Sequence, residues 1–563
     1  MNMQTSNPEI STNRFRNTTN LFNMSALGGK MVLCLIVLAS FFIGACGNRF
    51  ANEDQQLMDS TFYIAYIERH PQLAEQQSRV NIFYQERGFQ LAWFNENKLI
   101  PQAHKMLEII RKASDEGMDP AHYHIVDFEK LFKDLKSSKR NFERFSEAQK
   151  ETDLALTATY FLWASDYYRG LVVPDEHKEI EWDVKENGIM LHRALRVVLG
   201  EMESKYPLAD FKPIHAEYTR LKTALANYRK IKQTGAWPEV TVNTKLKQGQ
   251  RSSIVPVLRK RLGLTSDTES IYSKEVSDAV KKFQMEQGLK PDGVLGKETV
   301  RLMNISIDER IRQIILNMER WRWLPLSFEP DYLLVNIPEY RLHIYEAGKE
   351  KLSMNVIVGK TLNSTPVFSD KMEYIVLSPY WNVPFSIVKS ELAPKIAANS
   401  SYLDRVDMEV VSFKGEPINP TTINWNEITE SNWQYILRRR PGPKNDLGDV
   451  KFIFPNSNDI YLHDTPNGEL FNQEKRGFSH GCVRVEKPIE LAEYLLRKSG
   501  NWSKKQLLDT IAKRKEKHVQ LNAPLPVYLV YFTAWADENG NVHFRDDIYG
   551  HDKALASKYF VNN

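Results

Sequence analysis

The spacing of apolar residues is helical over the first half of the chain. At Leu107, Ile110 and Ala113 they recur at intervals of three, which is typical of amphipathic helices. Glycine and proline interrupt the pattern repeatedly and divide it into separate helices. We therefore predict a helical scaffold domain over residues 47–240. Its clustered aromatic side chains are predicted to be core rather than a ligand platform: Trp93, Phe94, Tyr160, Phe161, Trp163, Tyr167 and Tyr168.

A shorter unit follows at residues 245–304. Val276, Val280 and Phe283 fall on one face of a predicted helix. A turn-rich link comes next, and a last helix begins at Glu298. On the residues alone, this unit is a small helical domain or a generic helical hairpin.

The period changes after Pro325, where apolar and polar residues begin to alternate as they do in strands. We predict a mainly β domain over residues 325–552, preceded by a helix from Ile307 to Trp323. The predicted strands are 332–337, 341–345, 354–358, 373–377, a segment around Ile453, 460–462, 527–535 and 542–544, with a helix at 488–496. The fold class is therefore multidomain α+β.

Residues 385–446 interrupt the strands with helical and loop patterns. An insertion placed just before a catalytic motif is suited to be a lid over an active site. A plain surface excursion fits the same pattern, so both interpretations stay open.

Composition limits the class of protein. The chain has 563 residues, 42% of them hydrophobic and 26% charged, with a net charge of +4. This length predicts several domains, and neither disorder nor a nucleic-acid-binding surface is indicated. We expect no nucleic-acid partner.

The N-terminus has the pattern of an export signal over residues 1–46. An apolar run from Met31 to Ala45 follows Lys30 and is too short for a comfortable transmembrane helix. Residues 43–46 resemble a bacterial lipobox, which implies lipidation of Cys46 and anchoring to a membrane. An uncleaved signal anchor and an ordinary cleaved signal are the alternatives. All three place the rest of the chain outside the cytoplasm, in the cell envelope or periplasm.

The start codon is a separate question, because the segment before Lys30 is long for a signal. Initiation at Met24 instead of Met1 would give a compact one.

One cysteine in the body of the protein has the surroundings of a nucleophile. The chain has three cysteines, and Cys482 alone lies beyond the N-terminal segment. It belongs to a Ser-His-Gly-Cys-Val-Arg stretch at 479–484 and follows His463. A cysteine nucleophile needs a base and donors for an oxyanion, and both are available here. The alternative, a small buried hydrophobe, is disfavoured by these polar neighbours.

These motifs are similar to the signature of the L,D-transpeptidase catalytic domain, also called the YkuD domain. Supporting stretches lie at 358–360, 365–367, 379–384 and 441–448. Residues 245–304 resemble the peptidoglycan-binding type 1 domain, which implies a three-helix bundle. The order of scaffold, binding module and catalytic domain resembles the large YcbB-type L,D-transpeptidases.

The resemblance implies roles for the residues around the cysteine. Cys482 would be the nucleophile and His463 the general base, its ring oriented by the backbone carbonyl of Asp464. Backbone N–H groups near His480, Gly481 and Cys482 would form the oxyanion hole. A structural role for His480 is nearly as expected as a catalytic one. The predicted strand before His463 would support it rigidly, which favours His463 as the base.

Three more residues are candidates for binding the substrate. Arg484 would hold a carboxylate through its fork of donors. Tyr461 and Ser479, which precede His463 and Cys482 by two and three residues, are the other candidates.

The implied activity is formation of 3→3 cross-links between donor and acceptor stems of peptidoglycan. It needs no metal or cofactor, and carbapenem-type β-lactams are expected to acylate the thiol. Two alternatives stay open: a thiol L,D-carboxypeptidase or endopeptidase, and a non-catalytic peptidoglycan-binding anchor of the envelope.

Overall fold

The computed structural model describes residues 57–562 apart from 124–126, 178–179, 185–187, 214, 236, 266–268, 400 and 501. The predicted signal segment, with Met24 and Cys46, therefore lies outside the described residues.

The first part of the chain is helical, as predicted. Its helices are α1 Ser60–Arg69, α2 Gln77–Glu86, α3 Pro101–Arg111, α4 Phe128–Ser138, α5 Phe142–Arg169, α6 Leu191–Val198 and α7 Ala216–Thr234, and its strands are β1 Phe94–Asn95, β2 Lys98–Leu99 and β3 Trp182–Asp183. The central helix α5 is buried along much of its length because its neighbours pack around it. The predicted aromatic core is confirmed, although Phe94 is only partly buried against it.

The small unit is a three-helix domain with a hydrophobic core of its own. Its helices are α8 Val255–Arg261, α9 Lys274–Glu286 and α10 Lys297–Met303. Buried Gln284 holds the turn between the last two helices. Its amide donates to Asp292 and Thr299, and its carbonyl accepts from the N–H of Gly293. A buried amide needs hydrogen-bond partners, and this explains the polar residues Asp292 and Thr299 within the short apolar unit.

The rest of the chain is a β domain with an insertion. Its elements are α11 Ile307–Arg322, β4 Tyr332–Asn336, β5 Arg341–Glu346, β6 Lys349–Gly359, β7 Val367–Leu377, β8 Trp381–Asn382, α12 Phe385–Ile387, α13 Ala393–Ala398, α14 Tyr402–Arg405, β9 Met408–Val411, β10 Pro417–Ile418, β11 Ile436–Arg439, β12 Val450–Ile453, β13 Leu462–His463, β14 Gly477–Ser479, β15 Val483–Val485, α15 Pro488–Leu496, α16 Lys504–Ile511, β16 Lys517–Val530, β17 Ala534–Ala536, β18 Val542–Phe544 and α17 His551–Asn562.

The main sheet closes on itself. Its strands pair in the order β12-β13-β15-β6-β5-β4-β16-β7, and β7 pairs again with β12. Strand β14 adds to β6, and β3 from the helical part adds to β7. Closure places the inward-facing aliphatic side chains of these strands in one core.

The predicted strand at 527–535 is instead two strands, β16 and β17. Strand β16 also begins earlier than its pattern suggested, at Lys517. Pro524 and Pro526 obscure the strand pattern in the sequence, because proline is unusual within a strand. The pairing of β16 with β7 shifts register between Gln520 and Leu525.

The helical part and the β domain share a hydrophobic core. Helix α11 packs against α7, and Trp182 of β3 lies against Trp323 with ring centroids 5.1 Å apart. Arg320 on α11 also forms an ion pair with Asp552 at the start of α17, 2.5 Å apart. Helix α11 is therefore packed between the helical part and the β domain and is not a flexible linker.

The insertion forms a small folded unit. Strands β8 to β11 make a four-stranded sheet in the order β10-β9-β11-β8, which the helical and loop pattern did not predict. These strands are short, so their alternation is difficult to recognise. The unit has its own core, which includes Val388, Met408 and Trp425. At its base, Asn445 donates to the carbonyl of Pro379 at 2.9 Å and ties the two ends of the insertion together.

Candidate active site

Three neighbouring strands hold the candidate catalytic side chains. Strands β13 and β15 run parallel, with Leu462 opposite Val483 and His463 opposite Arg484. Strand β12 lies on the other side of β13 and places Lys451 opposite His463. Because side chains alternate along a strand, Leu462 and Val483 enter the core while His463, Arg484 and Lys451 share the other face.

This face lines a cavity of about 810 Å³. Six of the residues singled out in the sequence border it: Tyr461, His463, Ser479, His480, Cys482 and Arg484. Asp464 and Gly481 do not border it. The sheet therefore brings together side chains that come from two separate stretches of the sequence.

His463 is held as a neutral ring with a defined orientation. Its Nδ1 lies 2.5 Å from the backbone carbonyl oxygen of Asp464, so Nδ1 carries the proton and donates it. Burial, with the Arg484 cation adding to it, lowers the pKa of His463 to about 3. At neutral pH the Nε2 atom is therefore unprotonated and able to accept a proton.

The carboxylate of Asp464 points away from the imidazole. Its two oxygens accept from the backbone N–H groups of Asp449 and Thr465, both at 2.7 Å. Gly448 makes room for it, since a Cβ there would lie 2.3 Å from the carboxyl carbon. Burial raises the pKa of Asp464 to about 6. The direction of this side chain could not be predicted from the sequence. In the structure, only the backbone carbonyl of Asp464 faces His463.

Cys482 rests in a partly buried position beside Tyr461. Burial raises the pKa of the Cys482 thiol, while hydrogen bonds from Tyr461 and the cations of Lys451 and Arg484 act against this. Its Sγ is 3.9 Å from the carbonyl oxygen of Asp459. The resting cavity is therefore bordered by a neutral thiol and a neutral imidazole.

The loop that carries the cysteine is fixed by buried hydroxyl groups. Ser479 donates to the carbonyl of Cys482 at 2.6 Å and accepts from the N–H of Gly481 at 3.2 Å. Thr365 donates to the carbonyl of Gly481 at 2.6 Å and accepts from the N–H of Gly359 at 2.9 Å. Gly481 itself has φ +119°, which other residues rarely adopt. Although Ser479 borders the cavity, its hydroxyl is used within the loop.

Two residues of the site, Lys451 and Thr365, were not predicted from the sequence. Lys451 places its Nζ 3.8 Å from the centroid of the Tyr461 ring, and burial lowers its pKa. Strand pairing alone puts it opposite His463, so no local pattern pointed to it. Thr365 lies in one of the supporting stretches, but its contact with Gly481 spans more than a hundred residues of chain.

Replacing Thr365 with valine tests the support of the loop. Valine keeps the shape but leaves the Gly481 carbonyl and the Gly359 N–H without their partner. We expect the free energy of unfolding to fall by about 1 to 3 kcal/mol, with slower acylation of Cys482. Thr365→Ser is the matched control because it keeps the hydroxyl. Chemical denaturation and intact-mass kinetics measure the two effects, and equal behaviour of both variants would remove Thr365 from the site.

The pH dependence of acylation tests the neutral resting pair. Because the pKa of His463 is about 3, its base form is fully populated throughout pH 5 to 7. We expect the acylation rate with a carbapenem to stay level over this range, as followed by stopped-flow fluorescence. A decline centred near pH 6.5, the ordinary value for histidine, would contradict it.

The insertion contacts the cysteine loop directly. Glu391, in the π-helical segment Val388–Leu392, lies 3.2 Å from Nε2 of His480. Ile387 of the insertion, together with Trp381 and Pro384 just before it, borders the same cavity as Cys482. His480 thus faces the insertion.

The described part of the chain contains no group of three or more His, Cys, Asp or Glu residues placed to hold a metal ion. None of its helices is both long enough and apolar enough to span a bilayer.

Three families of known proteins match separate parts of the chain. Residues 78–225 match a family described as "Scaffold domain", residues 260–303 match "Putative peptidoglycan binding domain", and residues 330–510 match the L,D-transpeptidase catalytic domain, YkuD. These matches define a multidomain protein with a YkuD-type catalytic domain.

A curated relative matches part of the chain. It is a protein of Haemophilus influenzae named "Putative L,D-transpeptidase", which is 35% identical over 274 residues. The match covers 48% of this chain and 55% of that relative, so the chain spans about half the relative's length.

Solved structures with weaker similarity include three L,D-transpeptidases. The one from Xylanimonas cellulosilytica has 15% identity, coverage of 52% of this chain and 100% of that one, and a TM-score of 0.17. The one from Stackebrandtia nassauensis has 15% identity, 52% and 96% coverage, and a TM-score of 0.20. L,D-transpeptidase 1 of Mycobacterium tuberculosis has 12% identity, 37% and 64% coverage, and a TM-score of 0.15.

The chain therefore contains an L,D-transpeptidase catalytic domain of the YkuD type together with a peptidoglycan-binding domain.

Proposed function

We propose that this protein is an L,D-transpeptidase that forms 3→3 cross-links in peptidoglycan through a thioester on Cys482. One observation carries the proposal: the parallel pair β13 and β15 places His463 and Arg484 on one face, with Cys482 in the same cavity. Nucleophile, base and a cation for a carboxylate are then available within a single pocket.

In the first step, Sγ of Cys482 attacks the carbonyl carbon of the third residue of a donor stem. His463 takes the thiol proton and passes it to the leaving amine, so the bond to the terminal D-alanine breaks and a thioester forms. The N–H groups of His480 and Cys482 are assigned to the oxyanion, because the N–H of Gly481 donates to Ser479.

In the second step, an amine on a second stem attacks the thioester. His463 removes a proton from this amine and returns one to sulfur as the carbon–sulfur bond breaks. The product is an amide, the cross-link, and the thiol is restored. Carbapenem-type β-lactams would acylate the same sulfur and block the first step.

Arg484 is the residue assigned to the carboxylate of the donor stem. Its buried Nε makes no hydrogen bond within the described part of the chain. Nearby Asp446 is paired with Arg439 and therefore leaves Arg484 incompletely neutralised. A substrate carboxylate would complete this arrangement with charge-assisted hydrogen bonds.

The insertion is proposed to be the lid of this site. It borders the cavity, it contacts His480 through Glu391, and its base is tied by Asn445. Excluding water favours the amine over hydrolysis of the thioester, which distinguishes a transferase from a hydrolase. Export by residues 1–46 and anchoring through Cys46 would place the site beside its polymer in the envelope.

Incubation with sacculi tests the proposal. Wild-type protein should produce 3→3 dimers and release D-alanine, and Cys482→Ala should produce neither, as measured by chromatography and mass spectrometry of muropeptides. Trimmed monomers without dimers would show the carboxypeptidase or endopeptidase instead. Unchanged muropeptides with retained wall binding would show a non-catalytic anchor.

A further inference from the structure

Two cations flank the candidate base. Lys451 on β12 lies opposite His463 on β13, and His463 lies opposite Arg484 on β15. Since neighbouring strands are about 4.8 Å apart, the backbones at Lys451 and Arg484 are separated by about 10 Å, with the strand of His463 between them. All three side chains border the cavity that Cys482 also borders. The proposed reaction gives a role to Arg484 and leaves Lys451 without one.

The ammonium group of Lys451 forms no ion pair within the described residues. Its Nζ lies 3.8 Å from the centroid of the Tyr461 ring, a cation–π contact that fixes its position but leaves its charge without a counter-ion. Burial lowers the pKa of Lys451, while the carboxylates of Glu516 and Asp459 act on it from beyond ion-pairing distance. A partly buried cation is costly in this state, and an anion bound beside it would offset that cost.

The acidic residues that border the cavity are not paired with these two cations. Asp446 forms an ion pair with Arg439, and Asp459 is exposed to solvent, where its charge is screened. In the part of the chain that the structure describes, neither carboxylate forms an ion pair with Lys451 or Arg484. The cavity therefore suits two carboxylates of a ligand, one beside each cation.

The second step of the proposed reaction indicates which stem supplies the second carboxylate. In that step an amine approaches the thioester on Cys482 while His463 removes its proton. The donor stem is assigned to the Arg484 side of His463, so the side that is left for the second stem is that of Lys451. A carboxylate close to the attacking amine would bind Lys451 and hold the amine beside the base.

We propose that Lys451 binds a carboxylate of the acceptor stem, the stem whose amine resolves the thioester on Cys482, and so selects amines that carry a neighbouring carboxylate. This inference rests on the proposed function and adds a specificity-determining residue to it. No covalent bond is formed to Lys451. The carboxylate accepts hydrogen bonds from Nζ and leaves with the cross-linked product.

The partition of the thioester between amine and water tests this assignment. The donor is a tetrapeptide stem. The acceptor is a second stem, supplied below saturation either as the acid or with the carboxylate next to its amine converted to an amide. Mass spectrometry gives the ratio of cross-linked dimer to hydrolysed donor. With the acid, Lys451→Met should lower this ratio about tenfold or more, because a hydrogen bond to a charged group is lost.

The amide acceptor shows whether the lost contact is the one proposed. In the wild-type protein, the amide should lower the ratio about as much as Lys451→Met lowers it with the acid. In the Lys451→Met variant, the amide should lower the ratio little further, since the two changes remove the same contact.

Two variants separate loss of the charge from damage to the fold. Lys451→Arg keeps a cation and should retain most of the ratio. Lys389→Met is the matched control, because Lys389 is exposed on the insertion and does not border the cavity. Both products come from the same thioester, so a variant that folds only in part lowers them together and leaves their ratio unchanged.

An unchanged ratio in Lys451→Met would overturn the proposal, as would additive losses from the variant and the amide. A loss confined to the release of D-alanine, with the ratio intact, would also overturn it and would assign Lys451 to the donor stem. Wild-type protein that forms no dimers would overturn the proposed function together with this inference, and that outcome is visible before any variant is measured.

Discussion

His463→Ala will slow the acylation of Cys482 by a carbapenem about 10²-fold to 10⁴-fold, the usual contribution of a general base. The resting thiol is protonated because burial raises the pKa of Cys482, so attack requires a group that removes its proton. His463 has a neutral Nε2 and borders the same cavity as Cys482. Time-resolved intact mass after addition of meropenem measures the rate directly.

His480→Ala is the matched control for this experiment. His480 is partly exposed and faces Glu391 of the insertion. We expect replacement of His480 to slow acylation far less than replacement of His463 does. We also expect it to affect transfer to an acceptor stem more than formation of the adduct. A greater loss of acylation in His480→Ala than in His463→Ala would reverse the assignment of the base.

Arg484→Ala will lower kcat/KM for a tetrapeptide donor roughly 30-fold or more, equivalent to about 2 kcal/mol or more for a partly buried charge pair. The guanidinium lies across from His463 in the register of β13 and β15, and its Nε makes no hydrogen bond in the described structure. A carboxylate of the donor stem is its expected partner. Steady-state release of D-alanine measures the effect.

A donor whose stem carboxylate is converted to an amide completes the test. Replacing the acid donor by the amide should cost the wild-type protein about as much activity as the Arg484→Ala substitution costs on the acid. The same replacement of the donor should cost the Arg484→Ala variant little further activity. Independent, additive losses would show that Arg484 does not hold the carboxylate. The assays belong near pH 8, since the Arg484 cation lowers the pKa of His463 and its removal raises that pKa toward the assay range.

Local patterns were sufficient for much of the fold. The helical period before residue 240, the alternation at β4 and β5, and the apolar face of α15 each depend on neighbours within a few residues. Short strands were not predictable in this way. The sheet of the insertion and the early part of β16 depend on partners that are distant in sequence, and two prolines conceal the latter.

The sequence by itself determined the residue types of the site: one thiol in the body of the chain, a histidine before it, and a glycine and an arginine beside it. Only the tertiary structure decided how they work. It turned the carboxylate of Asp464 away from His463, placed Lys451 across from that ring, and supported Gly481 with Thr365. These relations arise from strand register and burial, which join distant residues and therefore leave no signal in local spacing.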